Sequence, residues 1–318
     1  MNARGGRAPR LLAAAGVGLL LALLAIAVIK VADASARGIW VESLSAREAG
    51  HFWSPGRMRA AKPLELAVPR FGPHAAAAPL SHTTGTDFGD NFELVPDPAA
   101  PGFRVHGVLF TSSGFFGYGR CSGTAVSSPN KSVVITAAHC VDGGGGDNLA
   151  FIPAFRYGQR PFGVFPVRWL DTTKQWRGGF SSANFDVGAM VVGKNQRGET
   201  LEEAVGGAEI AFNLKAKQTF DVHGYPAEEP FDGETQRLCQ GVPSLGPDPT
   251  SFEFPGPLNL ANECDVTGGA SGGGWMIRGG TTLNGVTSYG YFDIQTPVFG
   301  PYFGKEAARL YGRAARVR

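Results

Sequence analysis

The sequence predicts an antiparallel all-β domain that begins near Phe103 and ends in a helix, preceded by an apolar N-terminal helix and an irregular segment. Short apolar or alternating runs such as "RVHGVLFT", "SVVIT", "LAFIPAF", "DVGAMVVG" and "TFDVHGYP" follow one another, separated by Gly, Pro, Asn and Asp. That is the spacing of strands in a sandwich or barrel. Alternating βα units would need long helical patterns between the strands, and the texture here does not supply them. The best helix candidate is the last stretch, "GKEAARLYGRAARVR", where Ala, Leu and Arg dominate.

The elements follow in chain order. Arg4, Arg7 and Arg10 precede an unbroken apolar run of 19 residues, Leu11 to Ile29. As a helix this run is about 28 Å long, close to the thickness of a bilayer core. Secretory signals usually carry a shorter apolar region, so two readings of residues 1–36 stand. The first is an export signal removed near Ala32, Ala34 or Ala36; the second is a retained membrane anchor, with membrane association through Leu11 to Ile29. Both put everything after Lys30 outside, so the expected location is extracellular, secreted or anchored on the outer side of the membrane. Residues 37–101 are rich in Ala, Pro and Arg and show little alternation, as in "AVPRFGPHAAAAPL". They read as a linker or removable pro-segment, with a boundary at "DPAAPG" and the folded domain at 102–318. "DGGGGDN" reads as a surface loop.

Composition excludes several functions. A chain of 318 residues with 43% hydrophobic residues can fill a large core, and its net charge of +2 gives nucleic acid no general attraction. No Lys follows a glycine loop in the manner of a phosphate cradle, and no cofactor is expected. Four cysteines in an exported chain read as two disulfides, for which three connectivities exist. Their spacing favours the local pairs Cys121 with Cys140 and Cys239 with Cys264. None stands at C-x-x-C distance, so no metal site is expected.

"TGGASGGGW", residues 267–275, packs five glycines around Ser271. Gly269, Ser271 and Gly273 fit the Gly-x-Ser-x-Gly pattern that exposes a nucleophilic hydroxyl on a tight turn. A serine hydroxyl needs a base within reach and an acid to orient that base. The six histidines are His51, His74, His82, His106, His139 and His223, and all precede Ser271. An α/β-hydrolase places its histidine after the serine, so that arrangement fails on chain order. His139 in "SVVITAAHC" and Asp186 in "NFDVGAMVV" supply the other order, histidine then aspartate then serine.

"TAAHC", "DVGAMVV" and "GASGGG" in this order resemble the chymotrypsin-like serine peptidases. "VLFTSSGFFGYGRCSGTAVSSPNKSVVITAAHC" and "CDVTGGASGGGW" are most similar to the secreted bacterial and fungal trypsin-like branch, including the glutamyl-endopeptidase-like enzymes. The likeness covers about residues 103–304 and extends faintly through "FWSPGRMRAAKPLE", which resembles pro-segments of that group. It implies two antiparallel six-stranded β-barrels and an exported, monomeric serine endopeptidase acting on polypeptides through an acyl-enzyme. Ser271 would be the nucleophile, His139 the base and Asp186 its orienting acid, with the N–H groups of Gly269 and Ser271 as oxyanion hole. Ser288, Tyr289 and Gly290 would form the edge that pairs with substrate. A catalytically inactive binding module on the same fold and a serine esterase are the alternatives.

Departures from the family pattern bear on activation and specificity. Ala270 stands where trypsin-like enzymes carry the aspartate that receives a new N-terminal ammonium, and Gly274 replaces a usual proline. Asp265, six residues before Ser271, has the offset of the carboxylate that binds Lys or Arg side chains. Val266 stands where the glutamyl-specific branch carries a hydroxyl residue, and the "TSY" of Thr287, Ser288 and Tyr289 lacks the histidine of its pocket strand. Cleavage after basic or after neutral residues is expected ahead of cleavage after Glu.

Overall fold

The computed structural model describes residues 38–68, 91–113, 117–291 and 297–318. The expected apolar helix and its cleavage sites lie outside these residues. Among the described residues no helix is long and apolar enough to cross a membrane. The chain divides into two units, Met1–Ile39 and Trp40–Arg318, and the fold below is that of the second.

Six strands form the first barrel: β1 (His106–Ser113), β2 (Gly117–Val126), β3 (Val133–Thr136), β4 (Asp147–Pro153), β5 (Phe165–Thr172) and β6 (Gly188–Val192). All their pairings are antiparallel, and the ring closes in the order β1-β2-β3-β6-β5-β4 and back to β1. Their β-branched and aromatic residues suit a pleated surface packed on one side. Leu109, Val134, Phe151, Trp169 and Met190 are buried together in the core. Each such side chain contributes about 1.5–3 kcal/mol on leaving water.

The second half contains β7 (Thr219–Gly224), β8 (Arg237–Pro243), β9 (Leu260–Asn262), β10 (Gly274–Ile277), β11 (Thr282–Val286) and β12 (Val298–Gly300). Continuous ladders join β11-β10-β7-β8, and a separate ladder joins β9 to β12. Among the described residues the two sets are joined by the single bridges Leu245–Ala261 and Tyr289–Phe299. The second barrel therefore has its six strands but closes more loosely than the first. Pro247, Pro249, Pro255 and Pro257 lie between β8 and β9, and proline has no N–H to donate to a ladder. Phe220, Trp275 and Phe92 fill this half's core.

The C-terminal helix, α4 (Lys305–Ala314), turns Ala307, Leu310 and Ala314 onto the first barrel's core, an i, i+3, i+7 stripe. Arg313 fastens it through Asp171 Oδ2 at 2.6 Å and the Thr172 carbonyl at 2.9 Å.

The segment expected to be irregular is ordered where it is described. Ser45 and Glu48 make a reciprocal capping box at the start of α1 (Ala46–Phe52), and Ser54 caps α2 (Pro55–Ala60), which has Pro at its first position. Trp53 between them is fully buried, and its indole N–H donates to the Asn148 carbonyl at 2.8 Å. Lys62–Pro63 then pairs in parallel with Gly119 and Arg120 of β2. Glu93–Leu94 adds to the edge of β8. The Ala- and Pro-rich composition concealed two short capped helices whose apolar side chains fit a groove made by strands far along the chain. α3 (Leu201–Val205) is a single capped turn.

Candidate active site

Strand register brings His139 and Asp186 together. In the β3–β6 ladder Thr136 lies opposite Gly188, so the residue three beyond one strand end meets the residue two before the other. Gly188 is required here, because a Cβ would come within 2.7 Å of the Ala137 carbonyl oxygen. His139 sits in the turn Ala138–Cys140, and Cys140 is bridged to Cys121 of β2 with a Cα separation of 6.1 Å. The second disulfide joins Cys239 to Cys264.

Asp186 is fully buried and accepts three hydrogen bonds. His139 donates its backbone N–H to Oδ1 at 2.8 Å, and His139 Nδ1 meets Oδ2 at 2.7 Å. Ser288 Oγ donates to the same Oδ2 at 2.5 Å. Two contacts to one carboxylate fix both the position and the rotation of the imidazole, with Nδ1 as the protonated nitrogen. Burial pushes the His139 pKa down, but the Asp186 charge and hydrogen bond, the nearby Leu64 carbonyl and the Glu65 charge together hold it above the usual histidine value. His139 Nε2 is buried and makes no hydrogen bond to Ser271 or to any other described residue.

Ser271 occupies the turn between β9 and β10. Gly269 at φ +93° and Gly272 at φ +79° adopt backbone conformations that disfavour a side chain. A Cβ on Gly272 would also collide with Thr136 Oγ1 and the Ser122 carbonyl of the opposite barrel. Ser122 of β2 ties the turn down. Its N–H donates to the Ser271 carbonyl at 2.7 Å, its hydroxyl donates to the Gly269 carbonyl at 2.9 Å, and that hydroxyl accepts from Tyr225 N–H at 2.9 Å. Ser122 was not singled out from sequence; its position beside Cys121 in "CSGTA" was the available signal. Ala270, where the trypsin-like enzymes it resembles carry Asp, is buried.

Ser271 lines a cleft of about 250 Å³ together with Glu65, Leu66, Glu228, Gly268 and the stretch Ser288–Tyr291. Tyr289 and Tyr291 donate their hydroxyls to Asp248 Oδ2 at 2.8 and 2.7 Å, and Asp248 is fully buried. Asn259 also donates to the Tyr289 hydroxyl, at 2.5 Å. Asp265, the expected partner of a basic substrate side chain, is buried and is not among the residues lining the cleft. The Cys239–Cys264 bridge draws this stretch toward β8, and Asp265 N–H donates to Asn91 Oδ1 at 2.9 Å. Three members of the cleft wall, Glu65, Leu66 and Val68, come from the N-terminal segment.

No family model matches the sequence, and no curated protein is similar to it. Solved structures are. The protease Anisep from Arthrobacter nicotinovorans is 31% identical with a TM-score of 0.62, the match covering 70% of this chain and 99% of that one. The thermostable serine protease AL20 from an extremophilic microorganism is 35% identical with a TM-score of 0.60, covering 68% and 98% of the two chains. The chain belongs to the chymotrypsin-like serine peptidases. A Glu endopeptidase at 16% identity and a TM-score of 0.54, with 72% and 99% of the chains covered, shares the fold with this peptidase.

Proposed function

We propose that this peptidase is an exported serine endopeptidase in which Ser271, His139 and Asp186 act as nucleophile, base and orienting acid. The observation that carries the reading is the double contact of His139, through N–H and Nδ1, to the two oxygens of Asp186. Ser271 Oγ attacks the peptide carbonyl carbon while its proton passes to His139 Nε2. The proton then goes to the leaving amine as the C–N bond breaks, which leaves an acyl group on Ser271. Water repeats the sequence on the ester and frees the enzyme. The N–H groups of Gly269 and Ser271 would stabilise the oxyanion. In support, neither is taken up by another described residue in the turn's backbone hydrogen bonds. The edge Ser288–Gly290 would pair with the extended substrate, although the Ser288 hydroxyl itself serves Asp186.

Residues 37–101 act in this reading as a pro-segment whose stretch Lys62–Val68 covers the cleft, and 102–318 as the peptidase domain. Two disulfides suit an oxidising, extracellular location.

The test is fluorophosphonate labelling with the labelled residue mapped by mass spectrometry. Label on Ser271, absent from Ser271→Ala, is the expected outcome, together with hydrolysis of peptides as well as esters. Loss of about a million-fold in kcat is expected for Ser271→Ala or His139→Ala. Undiminished peptidase activity in Ser271→Ala would falsify the assignment.

A further inference from the structure

The stretch Lys62–Val68 leads from β2 to the cleft, where Glu65, Leu66 and Val68 form part of the wall and the Glu65 carboxylate faces that of Glu228. Its backbone is anchored to β2 through the Lys62–Pro63 pairing and through Leu64 N–H donating to the Arg120 carbonyl at 3.0 Å. Leu66 is buried in the apolar cluster that contains Trp176 and Tyr289. Between these anchors, the Glu65 side chain reaches the turn that carries Ser271. A Cβ on Gly268 would strike Glu65 Oε1 and lie 2.8 Å from Glu228 Oε2. The two carboxylate oxygens are thus within about 5 Å of each other.

Glu228 belongs to the peptidase domain, with its backbone tied to this turn and its side chain exposed at the mouth of the cleft. Ala227 N–H donates to the Gly268 carbonyl at 2.6 Å, and Thr267 Oγ1 donates to the Glu228 carbonyl at 3.0 Å. Among the described residues lining the cleft, the charged ones are Glu65, Glu228 and Glu229, and no Lys or Arg is present. The Glu65 carboxyl is raised above its ordinary value, by burial first and by the Glu228 charge second, with His139 opposing. A segment seated by its backbone and by Leu66 therefore brings the wrong sign of charge to this one position.

We propose that Glu228 determines specificity at the cleft position now filled by Glu65, favouring a substrate Lys or Arg side chain there. The inference rests on reading the cleft as the peptide-hydrolysing site. A guanidinium or ammonium at that position gains charge-assisted hydrogen bonds with Glu228, where a carboxylate is repelled. The chain's own segment, carrying Glu65, occupies the same position at an electrostatic disadvantage, so it closes the cleft and yields it to a cationic peptide.

Charge reversal in the full chain separates this proposal from the catalytic reading. Amide hydrogen exchange across 62–68 is measured for the natural chain, Glu65→Lys, Glu228→Lys and the double variant. Each single reversal makes an ion pair and is expected to slow exchange about tenfold, while the double variant, with two lysines facing, returns to the natural rate. Unchanged exchange in the barrel strands of the same samples shows that the fold is intact, and Glu228→Gln, which removes the repulsion with little change of shape, should slow exchange by a smaller factor. Equal exchange rates in all four chains would overturn the proposal whether or not Ser271 is the nucleophile. In a second arm, peptide-library profiles of the natural chain and Glu228→Gln should differ by about tenfold at one basic subsite. The same profile in both would overturn the specificity role even if the exchange data were as expected. No hydrolysis at all by the natural chain would count against the catalytic reading and leave the exchange arm to decide the charge relationship.

Discussion

Ser288 Oγ and His139 Nδ1 meet at one oxygen, Oδ2 of Asp186, at 2.5 and 2.7 Å. The aspartate is thereby held from the second half of the molecule by Ser288 and from the first by His139. Ser288→Ala removes one donor and leaves the His139 contacts in place. The expected result is a fall in kcat of about tenfold with KM nearly unchanged, because the imidazole loses orientation and no substrate contact is lost. Steady-state kinetics on a small peptide ester checks it, and a change confined to KM would refute it.

His106 and His223 stack at 3.9 Å between ring centroids and 12° between planes, both buried. Their polar neighbours are neutral: Thr124 Oγ1 at 3.0 Å from His106 Nδ1 and Gln236 Nε2 at 3.3 Å from His223 Nδ1. Phe103 covers His223 from another side. Burial lowers both pKa values, that of His223 to about 3 and that of His106 well below the usual 6.5, with the His223 charge a further cause for His106. At these two groups the folded chain thus holds fewer protons than the unfolded one below pH 6.5. Stability contributed by neutral burial is complete above that pH and falls as pH drops toward the folded values, by about 1.4 kcal/mol per pH unit for each group. Urea unfolding at pH 7, 6 and 5 should show this slope, and His223→Gln should reduce it. His139 has the opposite sign, since its raised value favours the folded state at low pH and that contribution is lost as pH rises through it.

Asp248 accepts from Tyr289, Tyr291 and the backbone N–H of Thr250, the last at 2.8 Å. Asp248→Ala removes the acceptor shared by two buried phenols, which keep Asn259 and Thr250 as partners, so a loss of about 1–3 kcal/mol is expected. Because Tyr289 and Tyr291 line the cleft, peptide KM should rise in the same variant. Denaturant midpoints and kinetics measured on one preparation test both effects.

Replacing Cys121 and Cys140 together by Ala opens a loop of 19 residues. Chain-entropy arguments put the cost at about 3 kcal/mol. Faster amide exchange at 137–141 than in β6 is also expected, since the bridge holds the turn bearing His139. A midpoint equal to that of the natural chain would show that the packing of β2 against β3 suffices without it.

Much of this molecule is written in short-range pattern. Alternating runs marked the strands, chain order separated His139, Asp186 and Ser271 from an α/β-hydrolase arrangement, and cysteine spacing favoured the two bridges that the structure contains. The capping box Ser45-x-x-Glu48 is equally local, but its Ala- and Pro-rich surroundings have the composition of a linker. Other features depend on contacts between residues far apart in sequence. Ser122 reaches the Ser271 turn from the other barrel across a separation of 147 residues to Gly269. Asp265 is kept out of the cleft by a bridge to β8, and the second barrel closes through two bridges around a proline-rich connection. Glu65 meets Glu228 only because Lys62–Pro63 docks on β2. Periodicity, caps and local spacing follow from the conformational preferences of neighbouring residues, which the sequence determines by itself. Which surfaces then face one another is decided by packing of the whole chain, and there the tertiary structure alone placed the stretch Lys62–Val68, the Ser122 tie and the acidic wall of the cleft.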